Sequence, residues 1–146
     1  MKKDFTIESV NISTKKGVVK SPVSEINLIE NFGIENDAHA GKWHRQISLL
    51  ALEEIQTMQN KGLVLKPGDF AENITTIGIN LHSLPIGTKV QIDDAILEIT
   101  QIGKKCHHDC EIYKTIGDCV MPKKGVFAKV IKAGKISKTS KGILLS

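Results

Sequence analysis

Three segments of the chain gather side chains that do chemistry. In Gly103-Lys104-Lys105-Cys106-His107-His108-Asp109-Cys110, followed by Cys119, thiols stand among cations and imidazoles. Flanking lysines, or a protonated His107 or His108, favour thiolate over thiol, and thiolate is the form that attacks sulfur or ligates a metal. A free cysteine in apolar surroundings is a small core residue, but this segment is polar. Cys106 is therefore a candidate nucleophile or metal ligand, with Cys110 or Cys119 as a second, resolving thiol. The same cysteines with a histidine could also hold a structural zinc. Against that, the Cys-x3-Cys spacing is not the usual pair and a second conventional pair is lacking.

The second segment runs from Asn36 to Ser48 and carries Asp37, His39, His44, Arg45 and Gln46. Asp37 and His39 are two apart, so in extended backbone their side chains face the same way. Arg45 offers a fork of donors that matches phosphate or carboxylate oxygens. The segment reads either as a binding loop or as a plain polar surface loop. The third, Pro67-Gly68-Asp69-Phe70-Ala71-Glu72-Asn73-Ile74, places a carboxylate and an amide just before a strand. Glu72 and Asn73 could meet a ligand at a strand end. Such residues more often satisfy the backbone of a turn.

The elements that must position these groups are mostly strands. Residues 5–13 alternate apolar and polar side chains, the pattern of a half-buried strand. Val18-Val19-Lys20 before Ser21-Pro22 predicts a short second strand, and residues 25–29 a third. One helix is expected to open at Ser48, with Leu49, Leu52, Ile55 and Met58 on one face, Glu53 and Glu54 early and Gly62 near its end. Ser48 serves there as N-cap or else as the last residue of a strand. Residues 73–77 follow the Pro67-Gly68-Asp69 turn. Residues 89–92 and 95–102 form a hairpin about Asp93-Asp94, and residues 125–131 and 142–145 complete the set. Short strands without strand–helix alternation predict a closed or nearly closed β-barrel with one or two short helices.

At 146 residues, the expectation is one domain spanning 1–146, large enough to bury a core without disulfide or metal staples. Aromatic residues are 4% of the chain, so that core must be built from Ile, Leu and Val. The start, Met-Lys-Lys-Asp-Phe, has no apolar run behind its lysines. Neither a signal peptide nor a membrane span is expected, and cytoplasmic free thiols follow as the default. The net charge of +4 reads as a solvated surface or as attraction for an anionic small molecule. Nucleic acid is not expected, because stacking aromatics interleaved with the lysines are missing.

Together the segments resemble the MOSC family, named for the C-terminal domain of molybdenum-cofactor sulfurases. Asp37-Ala38-His39-Ala40-Gly41 running into Arg45-Gln46-Ile47-Ser48-Leu49 resembles the opening motif. Residues 67–74 resemble its PGxFGENI element, Ile102-Gly103-Lys104-Lys105-Cys106 the segment bearing the family cysteine, and Gly125-Val126-Phe127-Ala128-Lys129-Val130 the closing strand. The resemblance implies a β-barrel and a stand-alone, single-domain form. It further implies a reactive Cys106 that carries sulfur as a persulfide or ligates molybdenum. Asp37, His39, Arg45, Gln46, Glu72 and Asn73 would line the same cleft, with Lys104 and His107 beside the cysteine. The implied cofactor is the molybdenum cofactor (molybdopterin), and no pyridoxal phosphate site is evident. The implied partner is a cysteine desulfurase or an enzyme that makes or accepts the cofactor. A module that binds and delivers the cofactor without turnover, or a zinc-stabilised structural domain, are the other two readings. This sequence departs from the pattern in having Ala71 in place of glycine, Lys129 in place of arginine, and Lys104-Lys105 where an arginine often precedes the cysteine.

Overall fold

The computed structural model describes residues 4–16, 18–62, 64–103 and 125–145. Its eleven strands are β1 (Asp4–Ile12), β2 (Ser21–Val23), β3 (Glu25–Ile29), β4 (Gly33–Ile34), β5 (Ile47–Ala51), β6 (Ile74–Ile77), β7 (Lys89–Ile92), β8 (Ala95–Ile102), β9 (Val126–Lys132), β10 (Gly134–Ser137) and β11 (Lys141–Leu144). A single α-helix, α1 (Leu52–Gln59), and one 3-10 turn (Leu81–Ser83) complete the described elements. Strands run in the order β11-β7-β8-β9-β5-β6-β1, and β1 pairs back onto β11. The result is a closed barrel of seven strands, with β2 added to β1 as a flap. A second sheet, β10-β3-β4, packs beside it.

The barrel is filled as its composition requires. Ile7, Val10, Ile47, Leu49, Ile74, Val90, Ile92, Leu97, Ile99, Val126 and Val130 are buried together with Ile26, Leu28 and Ile136 from the small sheet. Closure at β1–β11 rests on a close fit, since Phe5 pairs with Gly142 and a Cβ there would stand 2.1 Å from the Phe5 ring. Among the described residues no helix is long and apolar enough to cross a membrane.

The β7–β8 hairpin forms as the sequence predicts, Ile92 pairing with Ala95 across Asp93-Asp94. Elsewhere the structure corrects the reading. The alternation of β1 is not continuous: its register against β6 shifts between Ile7 and Ser9. This bulge keeps Phe5, Ile7 and Val10 in the core while Ser9 and Asn11 are buried against other partners. Residues 18–20 are not strand; pairing begins at Ser21, with Pro22 opposite Asn11 on the outer strand β2, where a missing N–H is tolerated. The helix opens at Leu52, not Ser48. Residues 47–51 are instead a strand buried throughout, parallel to β6 and antiparallel to β9. Two-sided burial explains the misleading pattern. Ile47 and Leu49 fill the barrel, while Leu50 points the other way and joins Ile55, Met58, Phe70 and Phe127 beneath α1. Neither β4 nor β10 was expected from the sequence.

Candidate functional site

The flap and the loop after β4 meet at a buried ion pair. Lys20 is 1% exposed and its Nζ lies 2.8 Å from Asp37 Oδ1. The same Nζ is 3.2 Å from Ser13 Oγ and 2.9 Å from His39 Nδ1. Asp37 also accepts the backbone N–H groups of Ser13 and His39, each at 3.1 Å. Each buried charge is thereby surrounded by partners, which is the condition for burying an ion pair at all; removing one member costs about 3–5 kcal/mol. Asp37 and His39 share one side, but through the turn that the Ala40 N–H closes onto the Asp37 carbonyl at 3.2 Å and not through the extended backbone that the spacing argument required; His39 keeps 30% side-chain exposure.

Trp43 joins this pair to the cations further along. Its indole N–H donates to the His39 carbonyl at 2.8 Å. The Arg45 guanidinium lies 4.7 Å from the Trp43 ring centre and 5.5 Å from that of Phe127, and the Lys16 ammonium 5.8 Å from Trp43. Cations over an aromatic face are held by its quadrupole. Among the described residues no carboxylate lies within ion-pair distance of Arg45. Next to it, Gln101 donates through Nε2 to the Gly103 carbonyl at 2.7 Å, so its Oε1 receives the His44 Nε2–H at 2.8 Å. Thr100 Oγ1 bonds the His44 carbonyl. The 43–45 stretch is thus pinned to the end of β8, where Gly103 N–H donates to the Gly125 carbonyl at 2.6 Å.

Gln46, Glu72 and Asn73 sit differently. All three are fully buried, and the contacts they make are internal. Gln46 Oε1 accepts the Val130 N–H at 2.9 Å, and its Nε2 donates to Asn31 Oδ1 at 3.3 Å. Asn73 Oδ1 accepts the Ser48 N–H at 3.0 Å, while Nδ2 donates to the Asn11 carbonyl at 3.1 Å, tying β5 to β1. Glu72 accepts from Gly68 N–H (2.9 Å), Phe70 N–H (3.2 Å) and Thr75 Oγ1 (2.7 Å). Burial pushes its carboxyl above the ordinary value, only partly offset by those donors. Cys106, Cys110, Cys119, Lys104 and His107 lie outside the described residues.

The profile of the MOSC domain matches residues 36–140. The chain belongs to the MOSC domain family. No curated protein sequence matches it significantly. Among solved structures it is similar to the YuaD protein of Bacillus subtilis, at 18% identity over 99% of this chain and 97% of that one, with a TM-score of 0.83. YiiM of Geobacillus stearothermophilus is similar at 17% identity over 97% and 75% of the two chains (TM-score 0.70), and YiiM of Escherichia coli at 19% over 98% and 70% (TM-score 0.71). At such identities the likeness speaks for the fold.

In this MOSC domain the loop after β4 gathers Asp37, His39 and Arg45 around Trp43, while Gln46, Glu72 and Asn73 tie the strands behind it. Sequence reading missed Lys20 and Trp43. For Lys20 no local signal exists, because a lysine before Ser-Pro reads as surface. For Trp43 one does: it is the sole tryptophan and stands among Lys42, His44 and Arg45.

Proposed function

We propose that this MOSC domain is a molybdenum-cofactor-linked sulfur carrier or cofactor-binding protein, in which Cys106 holds sulfur as a persulfide or ligates molybdenum. The observation that carries the reading is the Arg45–Trp43–Lys16 cluster in a domain of this family: a guanidinium and an ammonium gathered on one indole, with no described carboxylate neutralising Arg45. Such donors suit the phosphate of a pterin cofactor. Arg45 and Lys16 would hold that phosphate, and the soft thiolate of Cys106 would suit the metal that the cofactor supplies. Cys106 follows Gly103 by three residues, a chain reach of roughly 10 Å, and Gly103 is linked through Gln101 to His44. That proximity along the chain supports a shared cleft.

In the carrier role the Cys106 thiolate attacks the terminal sulfur of a desulfurase persulfide. A new S–S bond forms at Cys106, the donor's S–S bond breaks, and the donor cysteine leaves as thiolate. No oxidant is consumed, because the sulfur arrives already at the sulfane level. Cys110 or Cys119 would resolve the persulfide. Incubation with a cysteine desulfurase and cysteine, followed by intact-mass analysis, tests this. Wild type, Cys110→Ser and Cys119→Ser should each gain one sulfur atom, and Cys106→Ser none. Equal gain by Cys106→Ser, or no gain by wild type, rejects the carrier.

A second reading, cofactor binding and delivery without turnover, is favoured by the fact that the described contacts of the cluster join cations to aromatic rings, donors that can hold an anion without thiol chemistry. Molybdopterin binding unchanged in Cys106→Ser, with no sulfur gained by wild type, would establish it over the first.

A further inference from the structure

The Asp37 side chain has no exposure, so it offers no surface to a ligand. Both its oxygens are taken up inside the chain. Oδ1 accepts the Ser13 N–H at 3.1 Å and the Lys20 ammonium at 2.8 Å, both from the segment that leads into the flap. Oδ2 accepts the His39 N–H at 3.1 Å, from the loop after β4. Each hold is passed on towards the cation cluster. On the Oδ1 side, the Lys20 ammonium also donates to Ser13 Oγ at 3.2 Å, and that hydroxyl donates to the Lys15 carbonyl at 3.0 Å, one residue before Lys16. On the Oδ2 side, the His39 carbonyl accepts the Trp43 indole N–H at 2.8 Å, and Arg45 lies against that ring. The Lys16 ammonium and the indole, 5.8 Å apart, are thus placed by two routes that start at one carboxylate.

We propose that Asp37 is a positioning residue, which clamps the Lys16 segment to the Trp43 loop and so sets the spacing of the cations at the anion site. The chemistry calls for a carboxylate, because both oxygens must accept at once. An amide of the same shape has one acceptor, and its N–H2 would face a backbone donor on the other side. A buried ion pair adds little stability over apolar residues of like volume; what this one supplies is fixed geometry. The resemblance counts Asp37 among the residues that line the cleft, whereas this role puts it behind the wall, with Lys20 and not a ligand answering its charge. The role rests on the anion-binding reading of the cluster, and Cys106 has no part in it.

The neutral pair Asp37→Asn with Lys20→Met tests the clamp. It keeps the net charge, leaves no lone charge buried, and lets residue 37 accept from one segment only. Two readouts are taken: hydrogen exchange of the Ser13 and His39 amides, and affinity for inorganic phosphate with and without Lys16→Met. In wild type both amides should exchange slowly, and Lys16→Met should weaken phosphate binding roughly fivefold. In the folded neutral pair one of the two amides should lose its protection, and phosphate should bind at least roughly fivefold more weakly than to wild type. Lys16→Met should then cost little more, because Lys16 and the ring are already uncoupled. A merely stabilising Asp37 predicts an equal loss from Lys16→Met in both backgrounds, and that result overturns the inference. Protection of both amides in the neutral pair, or wild-type affinity there, also overturns it. If wild type binds no phosphate, the anion reading fails and the exchange result alone decides the clamp. If the neutral pair does not fold, the wild-type amides decide: slow exchange at both upholds the clamp, and free exchange at either rejects it.

Discussion

The carbonyl of Gly68 accepts the Lys20 N–H at 2.8 Å, and a Cβ on Gly68 would stand 2.1 Å from the Lys20 carbonyl oxygen. The Pro67-Gly68-Asp69 turn therefore closes onto the backbone of the residue whose side chain holds Asp37 and His39. Two motifs far apart in sequence meet at a lysine that belongs to neither. Gly68 also has φ +94°, outside the range of other residues. Gly68→Ala should cost roughly 3 kcal/mol, from backbone strain and the forced retreat of the flap. Urea denaturation measures it; a loss below about 1 kcal/mol would mean that the flap yields freely.

Ala71 presents the opposite case. Its φ is +60°, the left-handed region that costs an L-residue about 1–2 kcal/mol. The departure from the family glycine is thus not neutral here. Ala71→Gly relieves the strain while adding unfolded-state entropy worth about 0.4–1 kcal/mol. The net expectation is a gain of about 0.5–1 kcal/mol, read as a higher urea midpoint at unchanged slope. A lower midpoint would show that the Ala71 methyl packs usefully enough to outweigh its backbone.

What the sequence made legible is local. The Asp93-Asp94 hairpin and the turn at residues 67–69 each depend on neighbours within a few residues, and each appears as expected. The bulge in β1 depends on pairing with β6, some seventy residues away, and no local pattern marks it. Residues 48–51 read as the start of a helix because burial on both faces of the strand Ile47–Ala51 erases alternation. The burial of Lys20 depends on Asp37, Gly68 and the flap together, so its role emerged only from the assembled fold. For Glu72 the commoner of the two roles read from the sequence is the one seen, satisfying the N–H groups of the turn at Gly68 and Phe70; what no local pattern showed is the complete burial of Glu72 and Asn73.

Glu72 carries a pH signature. Burial raises its carboxyl above the ordinary value of 4.5. Above that pH the unfolded chain releases a proton that the folded chain retains, so ionisation favours the unfolded state. The contribution of Glu72 is fully present below pH 4.5 and is lost as pH rises through its folded value. Stability of wild type relative to Glu72→Gln should accordingly fall with rising pH, by at most about 1.4 kcal/mol per unit, and then level off. Denaturation of both proteins across a pH series separates this from other titrating groups. A difference that stays flat above pH 4.5 would mean that the Gly68, Phe70 and Thr75 donors outweigh burial.

Trp43 is the only tryptophan, so its fluorescence reports on the cation cluster without labelling. With Arg45 at 4.7 Å and Lys16 at 5.8 Å from the ring, an anion drawn to either cation must alter the indole's surroundings. Titration with inorganic phosphate or molybdate should change the emission saturably in wild type. Arg45→Met keeps the packing on Trp43 and Phe127 but removes the fork of donors. A charge-assisted bidentate contact is worth about 1.5–3 kcal/mol, so affinity should drop roughly ten- to a hundredfold. Arg45→Lys should recover only part of it, because an ammonium cannot make two parallel bonds. Added chloride should weaken wild-type binding more than that of Arg45→Met, since the stronger electrostatic contact has more to lose to screening. Equal affinity in wild type and Arg45→Met would remove Arg45 from the binding site and leave it as a clamp on two aromatic rings.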